Sequence, residues 1–339
     1  MIKIAIVTDA WHPQINGVVT TLSRTVRELT DFGYQVKTLT PQQFKTIQCP
    51  TYPEISLALA GPKIVAKELF AYQPNCVHIA TEGPLGWAAR STCRRQNFPF
   101  STSYHTRFPE YVRMRWPVPL CLTYRIVKCF HNAAQKTMVA TKALMQELQG
   151  RGFTNIALWS RGVDTDLFKP GPKERLTARR PVFMYVGRVA VEKNIEAFLQ
   201  LDLPGCKYVV GDGPARKILS SKYPEVTFTG YRTGRPLRDL FAAADVFVFP
   251  SRSDTFGVVL LEAMASGVPV AAYPVTGPIE TVVNGVNGYL DKDLRRAALN
   301  ALTVSPESCR RFAKQYSWKV CSRQFLSNLI IREQPISAK

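Results

Sequence analysis

Apolar residues in this chain fall mostly in short unbroken runs and only rarely alternate with polar ones. Examples are Ile4-Ala-Ile-Val-Thr8, Cys76-Val-His-Ile-Ala80, Met138-Val-Ala140, Pro181-Val-Phe-Met-Tyr-Val186 and Asp245-Val-Phe-Val-Phe-Pro250. Runs of this length, rich in β-branched and aromatic residues and closed by Gly or Pro, predict strands buried on both faces of a parallel sheet. Helical patterns follow several of them: one through Leu29 after Gly17, one over residues 142–149, and one from about Gly257. The alternation predicts two doubly wound α/β sheets in succession. Residues 159–172 read as a connector and residues 173–180 as a basic lead-in to the second set. Residues 310–331, with Trp318, read as one terminal helix.

In a doubly wound sheet, ligands lie beyond the carboxyl ends of the strands. In the first set that rim receives Asp9 to Gly17, Ala80-Thr-Glu-Gly-Pro84, and Tyr104-His105-Thr106. Gly17 marks a place where the backbone comes close to something, and His105 is the histidine best placed for chemistry. In the second set Arg188 and Lys193 follow Gly187, where a forked guanidinium and a point-charged ammonium make a candidate diphosphate clamp. Tyr231 is suitably placed for a base. The stretch from Pro250 to Pro269 carries two carboxylates, Asp254 and Glu262, around a helix start, where unpaired N–H groups favour an anion and Glu262 can accept from vicinal hydroxyls. Val210-Gly-Asp-Gly213 lacks the third glycine and helix context of a dinucleotide site. Asp164-Thr-Asp166 is a carboxylate pair without a third ligand nearby, and reads as structural.

Length and composition narrow the class. At 339 residues the chain suits two domains. Hydrophobic content of 46% with 20% charged residues is that of a folded chain, and no apolar run approaches the ~20 residues that span a bilayer. The N-terminus reads as a strand, since its apolar stretch is short for a signal peptide and Asp9 comes early. The eight cysteines show no CxxC or zinc spacing, which predicts free thiols, no structural metal and a cytoplasmic setting.

A net charge of +19 points to nucleic acid, an anionic membrane surface or a phosphorylated substrate. Its most asymmetric part lies between Trp87 and Lys136. Arg90, Arg94, Arg95, Arg113, Arg115, Arg125 and Lys128 are interleaved there with Trp116, Tyr111 and Phe130, against one acid, Glu110. Such a mixture suits the interface of an anionic bilayer. The plainer alternative is a solvated face over core-facing aromatics. No nucleic-acid-binding motif is present.

Six motifs in chain order resemble the retaining glycosyltransferases of family 4: Asn16-Gly17-Val18; Tyr104-His105-Thr106; Arg161-Gly-Val-Asp-Thr-Asp-Leu-Phe168; Val186-Gly-Arg-Val-Ala-Val-Glu-Lys-Asn194; Val210-Gly-Asp-Gly213; and Phe256-Gly-Val-Val-Leu-Leu-Glu-Ala-Met-Ala265. The similarity covers nearly the whole chain and is nearest to enzymes that glycosylate diacylglycerol or related lipids, among them sulfoquinovosyl, glucuronosyl and mannosyl transferases. It implies the GT-B fold: two facing Rossmann-like doubly wound parallel-sheet domains with an interdomain cleft. The N-terminal acceptor-side domain would span residues 1–172 and the donor domain residues 173–315, with a helix at about 316–339 crossing back. It implies retaining, metal-independent hexosyl transfer from a UDP- or GDP-linked sugar to a membrane lipid, with no cofactor, at the cytoplasmic membrane face. Alternatives are a soluble or polysaccharide acceptor, or, in another class, a basic nucleic-acid-binding protein.

By the same resemblance Arg188 and Lys193 neutralise the diphosphate, and His105 contacts the sugar. Glu262 matches the second acid of a Glu-x7-Glu motif and holds the ribose. Asp254 stands in place of the first acid, one methylene shorter, and contacts the donor sugar. Gly17 and Val18 would close on the diphosphate, while Thr255, Phe256, Gly257 and Val258 would meet sugar and phosphate through their backbone.

Overall fold

The computed structural model describes residues 1–337 except Ile15, Pro50, Thr51 and Thr255, and except the side chains of residues 52–55. The chain divides into two units, Met1–Ser160 with Trp318–Lys339, and Arg161–Ser317. Each holds a six-stranded sheet.

In unit 1 the strands are β1 (Lys3–Val7), β2 (Gln35–Leu39), a hairpin β3 (Thr46–Cys49) and β4 (Tyr52–Ala58), then β5 (Cys76–Ile79), β6 (Phe100–Ser103), β7 (Lys136–Val139) and β8 (Ile156–Leu158). Its helices are α1 (Gly17–Asp31), α2 (Pro62–Tyr72), α3 (Pro84–Arg95), α4 (Phe108–Arg115), α5 (Leu120–His131) and α6 (Lys142–Gly150). Unit 2 contains β9 (Val182–Val186), β10 (Cys206–Val210), β11 (Thr227–Gly230), β12 (Val246–Phe249), β13 (Val270–Ala272) and β14 (Gly288–Leu290). Between and after them come α7 (Glu196–Leu199), α8 (Arg216–Lys222), α9 (Gly234–Ala243), α10 (Val258–Ala265), α11 (Pro278–Thr281), α12 (Leu294–Ala301) and α13 (Pro306–Ala313). The last helix, α14 (Trp318–Asn328), returns to unit 1.

The sheet orders are β2-β1-β5-β6-β7-β8 and β11-β10-β9-β12-β13-β14, with every pairing parallel. The order reverses between β1 and β5 in unit 1 and between β9 and β12 in unit 2. Loops leaving those strand pairs part in opposite directions and open a crevice. The runs read from sequence become the sheet centres because they have no polar face to give to water: Val246, Phe247, Val248 and Phe249 of β12 are at most 4% exposed. Burying each such side chain stabilises by about 1.5–3 kcal/mol.

Two boundaries differ from the sequence reading. Residues 310–331 are not one helix. Val163 N–H donates to the Tyr316 carbonyl (3.1 Å), and Val163 bridges Ser317, so the chain is extended between α13 and α14. Residues 161–172, placed above in the first domain, belong to unit 2, where Arg310 Nη1 donates to the carbonyls of Phe168 (3.1 Å) and Ala265 (2.7 Å). Asp164 serves this connector: its Oδ1 accepts from the N–H groups of Asp166 (3.2 Å) and Leu167 (3.0 Å). Among the described residues no group of three His, Cys, Asp or Glu side chains is placed to hold a metal ion.

Candidate functional site

In unit 2 the loops after β9 and β12 meet at the reversal point. The backbone leaving β9 is held tightly there. Gly187 N–H donates to Val210 O (3.0 Å), Val189 N–H to Asp212 O (2.9 Å), and Tyr185 Oη–H to Arg188 O (2.8 Å). Two glycines of the Gly-Asp-Gly turn make this approach possible. A Cβ on Gly211 would stand 1.9 Å from Gly187 O, and one on Gly213 would stand 2.4 Å from Val189 O. The turn therefore braces the arginine loop, which accounts for its glycines without a dinucleotide.

Arg188 is half-buried at this loop, and Lys193 ends the short turn Val191–Lys193. Lys193 Nζ lies 2.5 Å from Asp254 Oδ1, with both side chains about one-fifth exposed. The two loops are tied further by Asn194 Nδ2 donating to Pro250 O (3.0 Å) and Ser253 Oγ donating to Glu192 O (3.2 Å). Asp254 Oδ2 is buried and has no hydrogen-bond partner among the described residues. The acid read as a sugar contact thus also holds the clamp lysine. A lysine at half-buried depth keeps its charge most easily beside a carboxylate, and sequence spacing gives no sign of a partner so far along the chain.

The loop then turns into α10. Thr255 lies outside the described residues. Phe256 is buried, and Gly257 caps the helix at φ +80, a left-handed conformation that disfavours other residues. Among the described residues no side chain caps the helix, and its first amides, starting with Val258, have donors that α10 itself cannot satisfy. Of the eight residues in α10, Leu260, Leu261, Ala263, Met264 and Ala265 are buried, and Glu262 is its one ionisable group, half-buried. Tyr231, just after β11, is 39% exposed, and its phenol is pushed up by partial burial and by the nearby Glu262 carboxylate. Arg188, Lys193, Asp254, Gly257, Val258, Glu262 and Tyr231 all sit in unit 2 on this edge or on α10. Arg252 adds a guanidinium 3.9 Å over the Tyr273 ring.

In unit 1, Asn16 caps α1, accepting through Oδ1 from the N–H groups of Val18 and Val19, both at 3.0 Å. Gly17 is exposed and a Cβ there would meet nothing within 4 Å, so no described part of the chain makes the close approach expected of it. Asp9 turns inward. It accepts from Leu85 N–H (3.0 Å), Gly86 N–H (3.3 Å) and Thr81 Oγ (2.8 Å), capping α3 from a distance, while burial pushes its carboxyl up. His105 is half-buried at the end of β6, its Nε2 2.8 Å from Ser103 Oγ and its ring 5.6 Å from that of Trp159.

The basic stretch divides. Arg90 is 7% exposed and donates to the carbonyls of Phe130 (3.2 Å) and Cys129 (2.9 Å), so it joins α3 to α5 and is not a surface cation. Its position opposite Trp87 and Phe130 puts it on the packed face of α3. Arg107 is likewise buried, paired with Glu147 (2.5 Å). Arg94, Arg95, Arg113 and Arg125 are exposed, and Arg115 and Lys128 half so. Phe108 (52%), Met114 (51%), Trp116 (47%), Leu122 (52%) and Ile126 (59%) expose large apolar side chains on or next to α4 and α5, the helices that also carry Arg113, Arg115, Arg125 and Lys128. Sequence reading named Trp116 but not Leu122 or Ile126, whose exposure follows from Tyr124 and Val127 taking the packed face of α5.

Comparison with known proteins bears on the family and the fold. The family described as Glycosyltransferase Family 4 matches residues 15–167, and that described as Glycosyl transferases group 1 matches residues 180–304. A GDP-mannose-dependent alpha-mannosyltransferase of Corynebacterium glutamicum is 29% identical over 317 residues, covering 85% of this chain and 76% of that protein. Sulfoquinovosyl transferase SQD2 of Arabidopsis thaliana is 31% identical over 292 residues, covering 76% of this chain and 56% of that protein. Among solved structures, a sucrose-phosphate synthase from Thermosynechococcus elongatus superposes with a TM-score of 0.78 at 22% identity, covering 96% of this chain and 98% of that one. Anabaena HepE in complex with UDP and glucose gives 0.73 at 18% identity, covering 96% and 99%.

Proposed function

This chain is a member of glycosyltransferase family 4, and from that premise we propose that it moves a sugar, with retention, from a nucleotide diphosphate sugar to a membrane lipid acceptor. The observation that carries the donor side is the junction in unit 2, where the loops bearing two cations and an acid meet the start of α10 at the sheet's reversal point. The chemical burden of such a transfer is charge developing on the leaving diphosphate. Arg188, Lys193 and the first amides of α10 meet it with positive groups already in place, as preorganised electrostatic stabilisation requires. Glu262 takes the ribose hydroxyls, with Tyr231 beside it at the base. Asp254, anchored to Lys193 through Oδ1, offers Oδ2 to a sugar hydroxyl. In unit 1 we assign His105 to the sugar and the Gly17–Val18 turn to the diphosphate. The acceptor hydroxyl attacks the face that the diphosphate leaves, and a phosphate oxygen takes its proton, so no side chain acts as nucleophile.

The lipid acceptor is supported by two things. Relatives named for glycolipids include the alpha-monoglucosyldiacylglycerol synthase of Streptococcus pneumoniae, 24% identical over 369 residues. The exposed apolar side chains of α4 and α5, with Arg113 and Arg125 exposed on the same two helices, suit insertion at an anionic bilayer surface. No described helix is long and apolar enough to cross a membrane. We propose that it acts peripherally, on the cytoplasmic face.

The test is a panel of UDP- and GDP-sugars incubated with the full chain and membrane lipid extract, with products identified by mass spectrometry. A glycolipid formed from one donor supports the reading. Transfer only to soluble or polysaccharide acceptors would move the acceptor assignment. Oligonucleotide binding with a steep salt slope and no sugar transfer would favour a nucleic-acid partner instead.

A further inference from the structure

β6 carries Ser101, Thr102 and Ser103 in succession, all at most 1% exposed. A central strand of a parallel sheet is normally filled by Val, Ile and Leu, and every buried hydroxyl needs a partner. The parallel register sets His78 of β5 beside Ser101 of β6, and Ser103, two residues on, lies on the same face. His78 is 0% exposed. Its Nδ1 lies 2.9 Å from Ser101 Oγ and its Nε2 3.1 Å from Ser103 Oγ. Ser103 Oγ in turn lies 2.8 Å from His105 Nε2. A buried histidine in the sheet is thereby joined, through one hydroxyl, to the histidine at the rim. The rings are held from the side: Trp159 stands edge-on to both, at 6.0 Å from His78 and 5.6 Å from His105, and Phe325 of α14 lies 4.8 Å from His78.

The direction of this chain follows from donor counting and distance. Ser103 has a single proton to give. A hydroxyl donating to its acceptor sits closer, typically at about 2.7–2.8 Å, than an N–H donating to oxygen at about 2.9–3.0 Å. We therefore assign the 2.8 Å contact to the hydroxyl donating to His105 Nε2 and the 3.1 Å contact to His78 Nε2–H donating to the hydroxyl. The Ala80 carbonyl, 3.4 Å away, is the poorer alternative acceptor for that proton. His78 Nδ1 must then accept, and Ser101 Oγ–H supplies the proton at 2.9 Å. Each of the four groups has one consistent role. What the other nitrogen of an imidazole is bonded to decides which nitrogen carries the proton.

We propose that His78 is a positioning residue for His105: acting through Ser103, it holds the rim imidazole in the tautomer with its proton on Nδ1 and turns it to face the donor sugar. His105 then meets that site as a hydrogen-bond donor. The role given to His105 rests on the glycosyltransferase reading above, whereas its tautomer is measured without any substrate.

The experiment uses the full chain labelled with 15N-histidine and long-range 1H–15N correlation, with His105→Asn identifying the His105 signals. Wild type is expected to show neutral His105 unprotonated at Nε2. Ser103→Ala removes the hydroxyl and is expected to shift His105 toward the Nε2–H tautomer that an isolated imidazole favours. It should lower kcat about tenfold, the loss of roughly one hydrogen bond, with KM for the donor changed less than twofold. His78→Phe should do the same. His78→Gln, whose amide can donate to Ser103 and accept from Ser101, should restore both signals and kcat. If Ser103→Ala leaves Nε2 unprotonated, or if wild-type His105 already carries its proton there, the proposal is overturned. Equal loss of kcat in His78→Gln and His78→Phe would also overturn it, reducing His78 to packing. Should His78→Phe fail to fold, Ser103→Ala carries the test alone. The expected tautomer in a protein that transfers no sugar would leave the positioning intact and sink the functional reading instead.

Discussion

Replacing Lys193 with Met removes the ammonium that lies 2.5 Å from Asp254 Oδ1 and leaves a carboxylate whose other oxygen has no hydrogen-bond partner among the described residues. The consequence for folding can be bracketed. Exposed ion pairs contribute up to about 1 kcal/mol, while breaking a fully buried pair costs about 3–5 kcal/mol. With the two side chains 20% and 19% exposed, the loss should be about 2 kcal/mol. For a unit of this size that lowers Tm by about 4–8 °C. Adding Asp254→Asn removes the stranded charge, so the double variant should recover more than half of the loss. Turnover follows the opposite logic. On the proposed reading Lys193 supplies charge to the leaving diphosphate, and losing such a group costs about 10²–10³ in kcat. Neither variant should recover it. The assay is thermal unfolding followed by far-ultraviolet circular dichroism, paired with donor turnover on the same samples. A Lys193→Met protein with unchanged Tm would show that the pair contributes nothing, and one with turnover within a few-fold of wild type would falsify the clamp assignment.

Arg188→Ala should lower donor turnover by about 10²-fold or more with little change in Tm, since the proposed role of its side chain is to meet the same developing charge; near-normal turnover in a product assay would refute it. Gly211→Ala places a Cβ 1.9 Å from Gly187 O at φ +147, with backbone on both sides of the clash, and should destabilise unit 2 by at least about 3 kcal/mol, read by urea denaturation. Burial pushes the thiols of Cys76, Cys93 and Cys309 up to about 12, so below that pH they stay protonated and unreactive. At pH 8 a maleimide should therefore label exposed Cys121 and Cys129 in the native protein and spare those three, as peptide mass spectrometry would report. Ile126→Glu, at a side chain 59% exposed, should weaken flotation with anionic liposomes while leaving Tm within about 1 °C; unchanged flotation would count against the α4–α5 face.

Much of the fold could be read because its strands are buried on both faces and announce themselves as unbroken apolar runs. The motif around Glu262 was equally plain, since one acid in an otherwise apolar helix has few structural uses. What escaped were facts about partners. Nothing local to Asp254 points to Lys193, because the two meet only when β12 is laid beside β9. Arg90 was counted with the surface cations, since charge alone does not tell which face of α3 packs on α5. The break between α13 and α14 is set by Val163, far earlier in the chain, so the helical pattern ran through it. The buried chain beneath His105 did leave a trace. His78 sits inside an apolar strand, and Ser101 and Ser103 alternate in the next strand. A polar residue in such a place needs a partner, and the spacing by two puts both serines on one face.

The order in which the chain visits its two units has a consequence for synthesis. Unit 1 is begun at Met1, left at Ser160, and resumed only at Trp318, after all of unit 2 has been made. Until α14 arrives, Trp159 and His78 lack the Phe325 ring that covers them, and Ser160 lacks Gln324, whose Oε1 accepts from its N–H at 2.7 Å. Unit 2 can therefore finish folding on the ribosome before unit 1 does. A nascent chain stalled anywhere before α14 would carry a complete unit 2 together with a unit 1 in which the rings of His78 and Trp159 still lack their cover.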